Sequence, residues 1–202
     1  MTSFRATIGA AAILMLTGGC MIGGSDTPVT PHAGAGGPFP AALFPEPVAF
    51  DGLPQSARAC LTEEEMAATE LVRVHTMLMV TGLTCHGSYR DPELFGKYQD
   101  FTEIHQQRIR ETQSTLETFL GRHLRGHRPR LFDTFRTQVA NSEAMTVMQT
   151  TAPRYCIDQR NRFYTVVDFD QAELDDYIDQ AMDLNRDTYT PCDEPRVAEA
   201  VR

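Results

Sequence analysis

The chain has 202 residues, five cysteines and a formal net charge of −9. That acidic balance excludes a nucleic-acid partner for the protein as a whole. The length that follows the N-terminal stretch suffices for one core and one domain.

The N-terminus carries Arg5, then an apolar run from Ala6 to Leu16, then Thr17, two glycines and Cys20. The run has signal-peptide length and is too short to span a bilayer comfortably. Leu16-Thr17-Gly18-Gly19-Cys20 resembles the lipobox of bacterial lipoproteins, in which a diacylglycerol is attached to the cysteine thiol and the peptide is cut just before it. Thr17 stands where that motif usually carries Leu, Val or Ile, with Leu16 one place further out. An ordinary signal peptide cut nearby is the alternative. The resemblance implies residues 1–19 as a signal peptide and Cys20 as the lipidated anchor in a membrane, several acyl chains being enough for stable attachment. Similarity to Gram-negative lipoproteins further implies an envelope location facing the periplasm, with Met21 after the cysteine pointing to the outer membrane.

Residues 20–58 are rich in Gly, Pro, Ala and Thr and read as a flexible tether. Phe39, Leu43, Phe44, Val48 and Phe50 are numerous for a spacer. They mark either an arm that packs on the domain, the favoured reading, or a segment that binds a partner.

Four cysteines remain after Cys20: Cys60, Cys85, Cys156 and Cys192. An even set in an exported chain is expected to form disulfides, with three possible connectivities. Helix order favours Cys85–Cys156, joining the end of the first helix to the start of the fourth, and Cys60–Cys192, flanking the folded region. A zinc site is disfavoured because no C-x-x-C pair exists. Cys85-His86 matches only the end of a haem-attachment motif, since residue 82 is Gly.

From Cys60 the apolar residues recur at helical spacing. Thr62-Glu63-Glu64-Glu65 is a capping box for a first helix carrying Met66, Val72, Val74, Leu78, Met79 and Leu83, ended by Gly87 and Ser88. Asp91-Pro92 starts one long second helix through Leu94, Phe101, His105, Ile109, Leu116, Phe119 and His123. Gly121 to Pro129 forms a turn. A third helix from Pro129 or Arg130 to about Gln149 places Leu131, Phe132, Phe135, Val139 and Met145 inward, with Asn141-Ser142 marking a polar contact between helices. Pro153 opens a fourth segment to Val167, and Asp170 to Glu173 caps a short last helix with Leu174, Ile178, Ala181 and Met182. Tyr164 to Val167 is the only stretch with strand character. The expected architecture is an all-α, up-and-down bundle of four to five helices over residues 59–193, stapled by two disulfides, with a disordered tail at 194–202.

Glu70-Leu71 through Met79, Leu83-Thr84-Cys85, Lys97-Tyr98, Phe119-Leu120, Ala140-Asn141-Ser142 and Tyr155-Cys156 resemble a family of small exported helical proteins of Gram-negative bacteria. The resemblance spans residues 65 to 165 and implies a helical, cysteine-containing fold and no activity.

His75, His105 and His123, with Met77 and Met79, are the residues that a bundle would need to hold haem or a metal ion. The nine methionines are better read as core filling, and no H-E-x-x-H pair is present. The acidic run Asp168, Asp170, Glu173, Asp175, Asp176, Asp179 and Asp183 lacks the glycine of a calcium loop and reads as a solvated helix face. Arg122, Arg125, Arg128 and Arg130 concentrate positive charge at the turn and form a candidate patch for an anionic partner, an envelope protein or polymer; cations serving a helix C-terminus and pairing with the acidic segment are the plainer account. No nucleophile elbow or phosphate loop occurs. The expectation is therefore a non-catalytic lipoprotein with no cofactor. A ligand-binding bundle (haem, metal ion or small apolar molecule) and an inhibitor of an envelope or secreted enzyme are the alternatives.

Overall fold

The structure, a computed structural model, describes residues 39–44, 60–189 and 191–192. The signal peptide, Cys20, most of the tether including Val48 and Phe50, and the 194–202 tail lie outside the described residues.

The protein is an all-α, up-and-down bundle stapled by two disulfides. Its helices are α1 (Glu63–Tyr89), α2 (Leu94–Ile104), α3 (Gln106–His123), α4 (Arg128–Thr150), α5 (Ala152–Val166) and α6 (Gln171–Asn185). Short 3-10 turns occupy Ala41–Leu43 and Arg186–Thr188. Among the described residues there is no strand, only a single parallel bridge between Leu61 and Pro191.

α1 is the axis and touches all five other helices. It is apolar around most of its circumference, as a central helix must be, burying Met66, Leu71, Val74, Leu78 and Cys85 on different sides. Its start is set by reciprocal capping: the Glu65 amide donates to Thr62 Oγ1 at 3.3 Å, and the Thr62 amide to the Glu65 carboxylate at 3.0 Å. Gly87 and Ser88 do not end it. The helix runs on to Tyr89, whose buried hydroxyl donates to the Cys156 carbonyl at 2.6 Å, and the chain then turns at Arg90 in a left-handed conformation.

The expected second helix is broken in two at His105. The side chain is 1% exposed and its Nε2–H donates to the Phe169 carbonyl at 3.0 Å. Inserting a buried histidine toward the α5–α6 connection bends the chain there. Gly126, at φ +152°, closes the α3–α4 turn; a Cβ would meet Leu131 at 3.1 Å.

α4 starts with Pro129 in its first turn and buries Phe132, Phe135 and Val139. Beyond them only Glu143, which accepts from the Tyr155 hydroxyl at 2.7 Å, and Val147 turn toward the core. Asn141 and Ser142 are exposed and mark no helix–helix contact, and Met145 is 48% exposed rather than inward. Leu83 of α1, also expected inward, is 56% exposed. Tyr164 to Val167 is the end of α5, not a strand. β-branched residues raise strand propensity, but Phe163, Val166 and Val167 share a buried helix face and packing decides. α6 begins with a second reciprocal cap, both bonds between Asp170 and Glu173 being 2.9 Å.

Two apolar clusters flank α1. The larger gathers Leu78, Phe101, Phe163, Leu174 and Tyr177 with Phe39, Leu43 and Phe44 of the arm. The smaller joins Met66, Leu116, Phe119, Phe135 and Tyr189. Cys85–Cys156 crosses the larger cluster with both cysteines fully buried, and Cys60–Cys192 closes the ends of the domain, their Cα atoms 5.5 and 4.6 Å apart.

Candidate functional site: a basic turn and an occupied groove

The three histidines singled out by the sequence do not converge. His75 Nε2 lies 3.1 Å from both the Tyr98 and the Thr102 hydroxyls, with its ring 5.2 Å from that of Tyr98. His105 is bonded to Phe169, and His123 lies against the Phe119 ring at 4.9 Å. Met77 is buried and Met79 half-buried. Among the described residues no three His, Cys, Asp or Glu side chains come together to hold a metal ion. The cleft at His75, lined by Leu71, Ile109, Phe132 and Arg136, has a volume of about 40 Å³, and a solvent-open groove between α1 and α3 at Glu64, Arg108 and Thr115 about 280 Å³. Small-molecule sites usually exceed roughly 300 Å³.

His75 makes the fold sensitive to acid. Burial first, and the nearby Arg136 cation second, push its ring from 6.5 down to about 4. The unfolded chain therefore binds a proton that the folded one refuses between those pH values. The stability due to neutral His75 is complete above about pH 6.5 and is lost as pH falls toward 4. Between pH 7 and 4.5 the loss should be about 2–3 kcal/mol. Denaturant midpoints at the two pH values should differ by that much more in the wild type than in His75→Gln; equal differences would contradict it.

The acidic segment is a working helix face. Asp170 and Glu173 cap α6, Asp175 pairs with Arg108 at 3.5 Å, and Asp183 with Arg186 at 2.9 Å. Burial and then its neighbours Asp175, Asp176 and Asp183 push Asp179 up from the usual carboxylate value.

At the basic turn the four arginines divide. Arg122 is engaged by Glu65 at the start of α1, not by the acidic segment, and its guanidinium lies 5.7 Å from the centre of the Phe119 ring. Arg125, Arg128 and Arg130 are exposed, as is His127 between them. None of the three enters an ion pair among the described residues. The stem of Arg128 lies across Gly121, where a Cβ would come within 2.8 Å of it.

Two polar clusters escaped the sequence reading. In the first, Glu70 is 1% exposed and accepts from Arg73 Nη1 at 3.2 Å, from Asn185 Nδ2 at 2.8 Å and from the Tyr189 hydroxyl. It joins α1 to the end of α6 and to the segment beyond it.

The second cluster holds the arm. Residues 39–44 lie along α5 and α6. Gln180 clasps Phe39 by both backbone groups: the Phe39 amide donates to Oε1 at 2.7 Å and Nε2 donates to the Phe39 carbonyl at 2.9 Å. Arg162 donates to three successive carbonyls, those of Ala42 at 3.4 Å, Leu43 at 2.7 Å and Phe44 at 2.8 Å, and to Gln159 Oε1 at 2.8 Å. The Tyr177 hydroxyl also donates to the Leu43 carbonyl, at 2.7 Å. The Phe44 ring stacks on Tyr177 at 4.6 Å, and Phe39 packs between Phe169 and Tyr177 at 5.2 and 5.7 Å. Burial pushes the Arg162 guanidinium down from its usual value and the Tyr177 hydroxyl up, so that the phenol remains a donor. One signal in the sequence was available: Arg162 falls on the same helical stripe as Tyr155, Gln159, Phe163 and Val166, where a cation needs a partner.

No protein-family model, curated protein or solved structure matches this chain.

Proposed function

We propose that the chain is an exported lipoprotein, held through Cys20 on the periplasmic face of the outer membrane, whose helical domain acts by contact and not by catalysis. The lipobox-like Leu16 to Cys20 and the long Gly/Pro-rich tether support the anchoring. Support for a contact role comes from where the reactive side chains are spent. The four domain cysteines are in disulfides, while His105, Glu70, Arg162 and Tyr177 are buried in bonds that hold the fold.

The observation that carries this reading is the exposed trio Arg125, Arg128 and Arg130 at one tip of an otherwise acidic molecule. Such a tip addresses an anionic surface, each arginine contributing about 1 kcal/mol near one. The test uses the mature chain with Cys20→Ser, so that no lipid inserts. It should sediment with vesicles containing anionic lipid, and less so as salt rises. The triple charge reversal Arg125→Glu, Arg128→Glu, Arg130→Glu should abolish that binding. Equal binding by both chains would refute the role of the turn.

A further inference from the structure

The arm is held as a ligand is held. Six hydrogen bonds reach it from three side chains with donors or acceptors aimed at its backbone: two from Gln180, three from Arg162 and one from Tyr177, with Gln159 bracing the guanidinium. Backbone-directed bonds supply affinity for any chain of the right shape, and pockets for alternate side chains supply specificity. Here the pockets take Phe39, Leu43 and Phe44, all at most 9% exposed, while Pro40, Ala41 and Ala42 between them face outward.

Arg162 supplies half of these bonds. It is 8% exposed with the arm in place, and among the described residues it donates to Gln159 and the three arm carbonyls and to no carboxylate. Those carbonyls form the C-terminal end of the 3-10 turn Ala41–Leu43, where backbone dipoles present partial negative charge. Emptying the groove would strip the guanidinium of these three acceptors, which water or another backbone would have to replace. The best occupant is a turn-forming peptide whose carbonyls converge on one point.

We propose that the α5–α6 groove is a peptide-binding site for segments of the pattern Phe-Pro-small-small-Leu-Phe, that residues 39–44 fill it in cis, and that such a segment of an envelope partner displaces them. The arm is suited to exchange because it is joined to the domain through residues 45–59, rich in proline and alanine. A cis ligand on a short linker competes at an effective concentration in the millimolar range. Access in trans is thereby restricted to a strong or locally concentrated partner, and release of the arm lengthens the leash between Cys20 and the domain.

The probe is a labelled synthetic peptide of residues 37–46, Gly-Pro-Phe-Pro-Ala-Ala-Leu-Phe-Pro-Glu. In the full chain carrying Phe39→Ala and Phe44→Ala the arm is disabled. This chain, if its circular dichroism remains native, should bind the peptide saturably by fluorescence anisotropy. The wild type should bind it about 10–100-fold more weakly, because its own arm competes. Adding Arg162→Met or Gln180→Ala to the arm-disabled chain should remove the binding. Absence of binding by the folded arm-disabled chain, or undiminished binding after Arg162→Met, overturns the proposal. Should the arm-disabled chain not fold, the wild type decides: millimolar peptide should speed amide hydrogen exchange across 39–44, and unchanged exchange overturns the proposal. A wild-type dimer that exchanges arms would place a second copy in the groove and overturn the assignment to a separate partner.

Discussion

Replacing Glu70 by alanine is expected to destabilise the domain by about 3–5 kcal/mol, the usual cost of removing one partner from a buried ion pair. Its carboxylate serves Arg73, Asn185 and Tyr189 together, and all four residues are at most 9% exposed. Alanine withdraws the countercharge and the shared acceptor at once, and it leaves a cavity that the two helices cannot easily close. Burial and the carboxylate itself both push the Tyr189 hydroxyl well up, so it cannot compensate by ionising. Glu70→Gln keeps an acceptor of the same shape and should cost less than Glu70→Ala. Denaturant midpoints of the three chains should rank in that order. A midpoint for Glu70→Ala equal to that of the wild type would mean that the network is not formed.

The second large effect is expected from the inner disulfide. Cys85 and Cys156 are separated by 71 residues, and closing a loop of that size lowers the entropy of the unfolded chain by an amount worth about 4 kcal/mol on the loop-closure account. The paired replacement Cys85→Ala, Cys156→Ala also thins the packing of the larger core. The melting temperature should fall by roughly 10 °C in a domain of this size. Cys60–Cys192 spans a longer interval, 132 residues, yet it ties down two chain ends, and Cys192 is exposed. Its removal should mainly fray the Leu61–Pro191 contact and hence lower the midpoint less than loop length alone implies. If the outer pair proves the more stabilising, the domain unfolds from its ends and the inner core is not the limiting unit.

The parts of this fold that were legible in the sequence are those governed by local chemistry. Thr62 with Glu65 and Asp170 with Glu173 announce their helices because capping involves residues three apart. Pro129 and Pro153 do the same at the starts of α4 and α5. The disulfide pairing followed from helix order alone. What the sequence concealed depends on contacts made across the bundle. His105 sits within a continuous helical period, and only its bond to Phe169, 64 residues away, explains the break. Tyr89 carries α1 past Gly87 because its partner is Cys156. Met145 keeps the spacing of an inward residue, but at that point α4 turns Glu143 and Val147 toward the core and Met145 to solvent.

The candidate site divides in the same way. The arginine cluster of the basic turn is visible as a run of charge, although the diversion of Arg122 to Glu65 is not. The arm could be suspected from its aromatic content. Its receptor could not, since Arg162, Tyr177 and Gln180 come from two helices and acquire meaning only when 39–44 is laid between them. Glu70 and Asn185, 115 residues apart, carry no joint pattern at all.

The most direct test of the anchored, disulfide-stapled domain is the intact mass of native protein extracted from membranes, recorded before and after reduction. The expected mass is that of a chain beginning at Cys20 with a diacylglyceryl group on its thiol and an acyl group on its amino group, rising by four hydrogen atoms when the two disulfides open. A chain cut elsewhere and free of lipid would contradict the anchor, and an unchanged mass on reduction would contradict the staples.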